Sequence, residues 1–97
     1  MSDVERANLA LPTNVVLDDL GPLRLALLAS LDRGAATFDA GAVTMIDAAG
    51  LQLLCAAVAT ARGRGLAVRW TAVPERMRTA AVALGVAAHL GLEPAAG

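Results

Sequence analysis

Apolar residues recur at intervals of three and four in three parts of the chain, which is the spacing of one face of a helix. The first set precedes Gly34, the second follows Asp47 and the third follows Pro74. Their members are Leu20, Leu23, Leu27, Leu28 and Leu31; Leu51, Leu54, Cys55 and Val58; and Met77, Ala80, Ala81 and Leu84. The pattern predicts three amphipathic helices, of which the second runs to about Arg62 and the third ends at Gly85.

Short apolar runs between these helices predict strands. Residues 66–71 alternate between apolar and polar side chains, so Trp70, in phase with Leu66 and Val68, is expected to pack in the core. Residues 35–39 form an apolar run typical of a buried central strand. The other predicted strands are residues 6–11, 15–17 and 89–92, whereas residues 40–46 are predicted to be a connection and residues 93–97 to fray.

Strands separated by helices of this length pair in parallel through right-handed crossovers. The sequence therefore predicts an α/β fold, with a small sheet of four or five strands covered by about three helices. Pairing in this sheet should be mixed but mostly parallel. A chain of 97 residues with 57% hydrophobic and 18% charged residues suits one domain, here residues 1–97 with a core from about 7 to 92.

Composition excludes several classes of protein. The formal net charge of −1 and the near absence of aromatic residues argue against nucleic-acid binding. A single cysteine, Cys55, and a single histidine, His89, provide neither a disulfide nor a zinc site. No apolar run reaches the roughly 18 residues of a membrane span, and the N-terminus does not resemble a secretory signal, so we expect a cytoplasmic location and no direct membrane insertion.

Carboxylates near the ends of predicted strands are the candidate chemical groups. Asp47 stands at the start of the second helix, where its side chain can cap the helix. Alternatively, the free N–H groups beside the small residues Ala48, Ala49 and Gly50 can form a docking or anion-binding surface. A third hypothesis pairs Asp39 with Asp47 in an α/β crevice, as in a small hydrolase or transferase.

Residues 43–54, VTMIDAAGLQLL, resemble the signature of STAS domains, named for sulfate transporters and anti-sigma factor antagonists. That pattern is close to V-x-x-I/F-D-S/T-x-G-L, and the predicted elements follow the family order from about residue 7 to 92. The resemblance implies a non-catalytic module without cofactors that binds partner proteins through the N-terminus of its second helix. The corresponding docking residues are Asp47, Ala48, Ala49, Gly50 and Gln52.

The chain departs from the family pattern at the residue that follows the motif aspartate. Many STAS domains are phosphorylated there on Ser or Thr, but this chain has Ala48, which has no hydroxyl. The sequence looks most similar to the compact STAS proteins of lipid-asymmetry transporters and of chemotaxis gene clusters. The implied partner is a transporter ATPase subunit, a chemotaxis component or, for an anti-sigma factor antagonist, an anti-sigma ATPase, and a homodimer stays open. Phosphorylation at another hydroxyl, such as Thr44, would restore a switch.

Overall fold

A computed structural model describes residues 8–92 of the protein. The strands within this range are β1 (Asn8–Ala10), β2 (Asn14–Val15), β3 (Thr37–Asp39), β4 (Met45–Ile46) and β5 (Arg69–Ala72). Its helices are α1 (Leu20–Asp32), α2 (Ala48–Gly63), α3 (Glu75–Ala83) and α4 (Ala87–Leu90), and a 3₁₀ turn (Leu17–Asp19) precedes α1. The predicted fraying of residues 93–97 and the start of the first predicted strand, at residues 6 and 7, lie outside the described residues.

The strands form two small parallel sheets. In the larger sheet β3 lies between β1 and β5, and both pairs are parallel. In the smaller sheet β2 pairs in parallel with β4. The α/β class and the parallel pairing are thus confirmed, but the strands do not form one sheet. The last ladder contact of the β1 segment is the bond from Leu11 N to Asp39 O, because Pro12, which follows, has no N–H to donate.

Strand β4 lies in the segment that the sequence predicts to be a connection. Thr13 O accepts hydrogen bonds from Thr44 N at 2.8 Å and from Met45 N at 3.1 Å, which aligns β4 with β2. The predicted strand at residues 15–17 begins one residue earlier and ends at Val15, because Leu17 already belongs to the 3₁₀ turn. Two-residue strands are too short to produce a hydrophobic period.

The predicted last strand, residues 89–92, is wrong. Residues Ala87–Leu90 form α4, which ends at Gly91 in the left-handed conformation with φ 79°. A short apolar run does not distinguish a strand from a helical turn. The indole Nε1 of Trp70 donates a hydrogen bond to the Leu90 carbonyl at 2.8 Å and holds α4 next to β5.

Strand β5 is shorter than predicted and begins at Arg69 rather than at residue 66. The N–H of Leu66 bonds to Ala61 O at 2.9 Å and closes the end of α2 instead of joining the sheet. Trp70 is half-buried, and its ring packs on Phe38 with centroids 5.3 Å apart. The contact with Phe38 agrees with the predicted core packing of Trp70, while the indole N–H forms a hydrogen bond with α4.

The core lies between the larger sheet and the helices. Its largest fully buried side chains are Phe38, Leu51, Leu54, Met77 and Leu90. Two members of the predicted helical stripes are exposed, Leu28 at 39% and Leu84 at 52%, and three others, Leu20, Cys55 and Ala80, are half-buried at the edge of the core. A stripe that is wider than the contact area leaves its edge residues at the surface.

Candidate functional site

Asp47 connects three backbone segments at the start of α2. Its Oδ1 accepts a hydrogen bond from Gly50 N at 2.9 Å, which is the helix cap that the sequence predicts. Its Oδ2 accepts a second bond from Leu17 N at 3.0 Å, and its own N–H donates to Val15 O at 3.3 Å. One carboxylate thus joins the 3₁₀ turn to the first turn of α2.

The same two donors fix the charge of this side chain. The hydrogen bond from the backbone N–H of Leu17 contributes most to lowering the pKa of Asp47 below its ordinary value, and the bond from Gly50 N–H contributes second most. Desolvation acts in the opposite direction. Both carboxylate oxygens accept a backbone bond while Asp47 is ionised. The geometry suits a structural anion that orders the surrounding surface.

The predicted docking residues divide between surface and interior. Ala48 and Gln52 are exposed and lie one helical turn apart on α2, so they share one face of the helix. Asp47 and Ala49 are half-buried. Gly50 is buried against Val15 and lets β2 and α2 approach each other, so it offers a partner little surface, and its place in a docking surface stays a prediction.

Two large apolar side chains that sequence analysis did not single out flank Asp47. Leu17 is 67% exposed and Met45 is 57% exposed. Leu17 bonds to Asp47 through its N–H, and Met45 precedes Asp47 by two residues in β4. We call the surface formed by Leu17, Met45, Asp47, Ala48 and Gln52 the Asp47 face. Side chains point alternately to the two faces of a strand. Because Ile46 packs against the core, its neighbour Met45 must point outward, and this alternation could have indicated its exposure.

A groove of about 500 Å³ borders the Asp47 face. Its lining comes from the end of β2, from the segment around β4 and from the first two turns of α3: Val16, Thr44, Met45, Ile46, Asp47, Arg76 and Ala80. The Nη1 of Arg76 donates to Thr44 O at 2.6 Å and ties α3 to β4. Arg76 is exposed, but this bond attaches its guanidinium to the segment that begins β4.

Asp39 has a local hydrogen-bond donor of its own and shares none with Asp47. Its Oδ1 accepts a hydrogen bond from Gly41 N at 2.8 Å in a local turn. No hydrogen bond joins either carboxylate to a His, Cys or Ser side chain between residues 8 and 92. Over the same residues no group of three His, Cys, Asp or Glu side chains could hold a metal ion.

A comparison with models of known protein families identifies the family of this chain. A family model described as "Mlab, STAS domain" matches residues 2–93, nearly the whole chain. The chain belongs to the STAS-domain family. Its α/β fold and the motif aspartate at the start of α2 agree with the resemblance inferred from residues 43–54. STAS domains act as regulatory and interaction modules and are generally non-catalytic.

Two further observations accompany this assignment. None of the curated proteins matches the chain. Among the helices in the described part of the STAS domain, none is long and apolar enough to cross a membrane.

Proposed function

We propose that this STAS domain is a non-catalytic adaptor that docks a partner protein through the Asp47 face. The observation that carries the proposal is the exposure of Leu17 and Met45 next to the capped N-terminus of α2. Exposed apolar side chains gathered at one place and rimmed by polar groups are typical of protein-binding sites. The two bonds of Asp47 order this place before a partner arrives, which lowers the entropy lost on binding.

Control of docking by phosphorylation at the usual position does not apply here. Ala48 is exposed on the Asp47 face but has no hydroxyl. A phosphate would add nearly two negative charges in the middle of the contact surface. We therefore propose that docking is constitutive, as expected for an accessory subunit of a stable complex, with a transporter ATPase subunit or a chemotaxis component as its partner. The alternative is an anti-sigma factor antagonist that binds an anti-sigma ATPase.

The test compares a variant of the Asp47 face with a matched variant at the opposite end of the domain. Ala48→Trp adds a large ring to the face, whereas Ala29→Trp makes the same change at an exposed position near the end of α1. Each tagged protein is produced in the cell of origin, its folding is checked by circular dichroism, and its co-purifying chains are identified by mass spectrometry. The wild type and Ala29→Trp should retain the same chains, and Ala48→Trp should lose them.

The identity of the lost chains decides between the partner classes. Transporter ATPase and permease subunits would support the accessory role, and chemotaxis components would support a role in signalling. An anti-sigma ATPase would support the alternative. A folded Ala48→Trp variant that retains every partner would show that the docking surface lies elsewhere.

A further inference from the structure

The charged residues of the domain are segregated along the direction of the strands. The strand pairs between residues 8 and 92 are parallel and the helices return in the opposite direction, so α1, α2 and α3 begin near the carboxyl ends of the strands. Within the described chain, five acidic residues and three arginines lie toward this end, within or just before the first two turns of a helix or at the end of β3. They are Asp18, Asp19, Asp39, Asp47 and Glu75, with Arg24, Arg76 and Arg78.

The opposite end has the reverse composition. Of the residues that the structure describes, four arginines and one acidic residue lie where α1 and α2 end and where β5 begins: Arg33, Arg62, Arg64 and Arg69, with Asp32. Arg64 and Asp32 form an exposed ion pair at 3.0 Å. Within residues 8–92 the domain thus has a more acidic end, which contains the Asp47 face, and a more basic end.

Asp18 and Asp19 are the acidic residues nearest to the exposed Leu17, and helix capping does not account for them. Both are exposed. Asp19 occupies the N-cap position of α1, yet neither this helix nor the 3₁₀ turn before it has a side-chain cap bond. Their negative charges interact favourably with the positive end of the α1 dipole. Both residues are exposed, so a partner can contact them.

We infer that the partner docks a cationic segment with an apolar anchor onto the Asp47 face. This inference rests on the proposed function and adds the chemistry of the partner. The partner is a different polypeptide, because contact between the acidic end of one copy and the basic end of another would be head-to-tail and would build rings or filaments instead of a single docked complex. An apolar side chain would pack between Leu17 and Met45 and extend toward the groove beside β4. Arginine or lysine side chains next to it would face Asp18 and Asp19. Complementary potentials of this kind increase the association rate and exclude partners of the wrong charge.

Cross-linking in the cell of origin tests this chemistry and identifies the partner in the same experiment. The photoreactive residue p-benzoylphenylalanine replaces Leu17 or the exposed Gln52 in the full chain, and a control places it at Ala29. We expect cross-links from the first two positions, and the captured peptide should contain an apolar residue with an excess of Arg and Lys over Asp and Glu.

The other outcomes separate the two proposals. A captured peptide that is neutral or acidic would overturn the charge inference and leave the Asp47 face as the docking site. Capture of residues 62–64 of a second copy would overturn the inference of a different partner in favour of self-association through the basic end. No cross-link above the Ala29 control would overturn the proposed function itself.

A quantitative measurement uses the captured segment as a synthetic peptide. Asp18→Asn and Asp19→Asn should each slow its association by about two- to fivefold at low ionic strength. The matched variant Asp32→Asn, at the basic end, should not slow it. The difference should shrink as salt is added, because screening weakens steering between exposed charges. Equal rates for all three variants and the wild type at low salt would contradict a cationic partner.

Discussion

Gly50 lies directly against the backbone of Val15. A Cβ at this position would overlap the carbonyl oxygen of Val15 and would lie 2.8 Å from its Cγ1 and 2.9 Å from its carbonyl carbon. Gly50 is at the same time the donor that Asp47 uses to cap α2. One small residue therefore allows the smaller sheet to approach the helix and keeps the cap in place.

Gly50→Ala should destabilise the fold although alanine is the better helix former. The backbone of β2 meets the new methyl group, and overpacking of this kind costs about 1–3 kcal/mol, whereas the opposing gain in helix propensity is at most about 1 kcal/mol. Gly63→Ala is the matched control, because Gly63 is also in α2 and a Cβ added there would meet nothing within 4 Å. Urea unfolding should show a loss for the first variant only. Equal free energies of unfolding for both would show that β2 moves aside freely.

Asp47→Asn should lower stability in a way that depends on pH. The hydrogen bonds from Leu17 N and Gly50 N hold the pKa of Asp47 below its ordinary value of 3.8, so its charged form stabilises the folded state above that pH. This contribution is lost as the pH falls through the lowered pKa of the folded state. Thermal unfolding at pH 7 should give a lower Tm for the variant, and the difference should narrow between about pH 4 and lower values.

Asp32→Asn provides the comparison for this pH series. Its carboxylate is exposed and pairs with the exposed Arg64, so its replacement should change Tm little at any pH. A difference between wild type and Asp47→Asn that stays constant from neutral pH into acid would mean that the charge of Asp47 does not contribute.

The elements that the sequence predicts well are those long enough to show a period. The three long helices extend over nine or more residues, so several turns repeat the apolar spacing and their stripes reach the core at Leu27, Leu54 and Met77. Strand β4 and helix α4 contain two and four residues. Too few side chains repeat in such elements, and only contacts with distant segments specify them.

The candidate site shows the same division between local and distant information. The cap from Asp47 to Gly50 spans three residues and is visible in the motif. The bond from Leu17 to Asp47 spans 30 residues, and the approach of Val15 to Gly50 likewise joins separate segments. The sequence alone therefore indicates the helix start but not the exposure of Leu17 or the burial of Gly50.

Ser30→Ala should cost about 1 kcal/mol of unfolding free energy. Ser30 is the one buried polar residue among those the structure describes, and its Oγ donates to the Ala35 carbonyl at 2.8 Å. Removal of the hydroxyl leaves that carbonyl without this donor in a region closed to water. Thr60→Ala removes a similar hydroxyl bond, to Ala56 O at 2.9 Å, from the exposed surface of α2 and should change stability by less than about 0.5 kcal/mol. Equal losses in urea unfolding would mean that burial does not strengthen the Ser30 bond.

Trp70→Phe should loosen α4 more than the rest of the fold. The phenyl ring can keep the contact with Phe38, but the bond from the indole N–H to Leu90 O disappears. Loss of this bond should cost about 1 kcal/mol. The effect should be concentrated in α4, because a helix of four residues has few backbone hydrogen bonds of its own. Hydrogen exchange should accelerate at the amides of Leu90 and Leu92, which bond within and just after α4.

The control for this measurement is His89→Ala, a change at an exposed position of α4 itself. It should leave the exchange rates of Leu90 and Leu92 nearly unchanged, because it removes neither the indole bond nor a buried contact. In Trp70→Phe the amides in the middle of α2 should exchange more slowly than those of α4 and should change by a smaller factor. If both groups accelerate by the same factor, Trp70 stabilises the domain as a whole and does not specifically anchor α4.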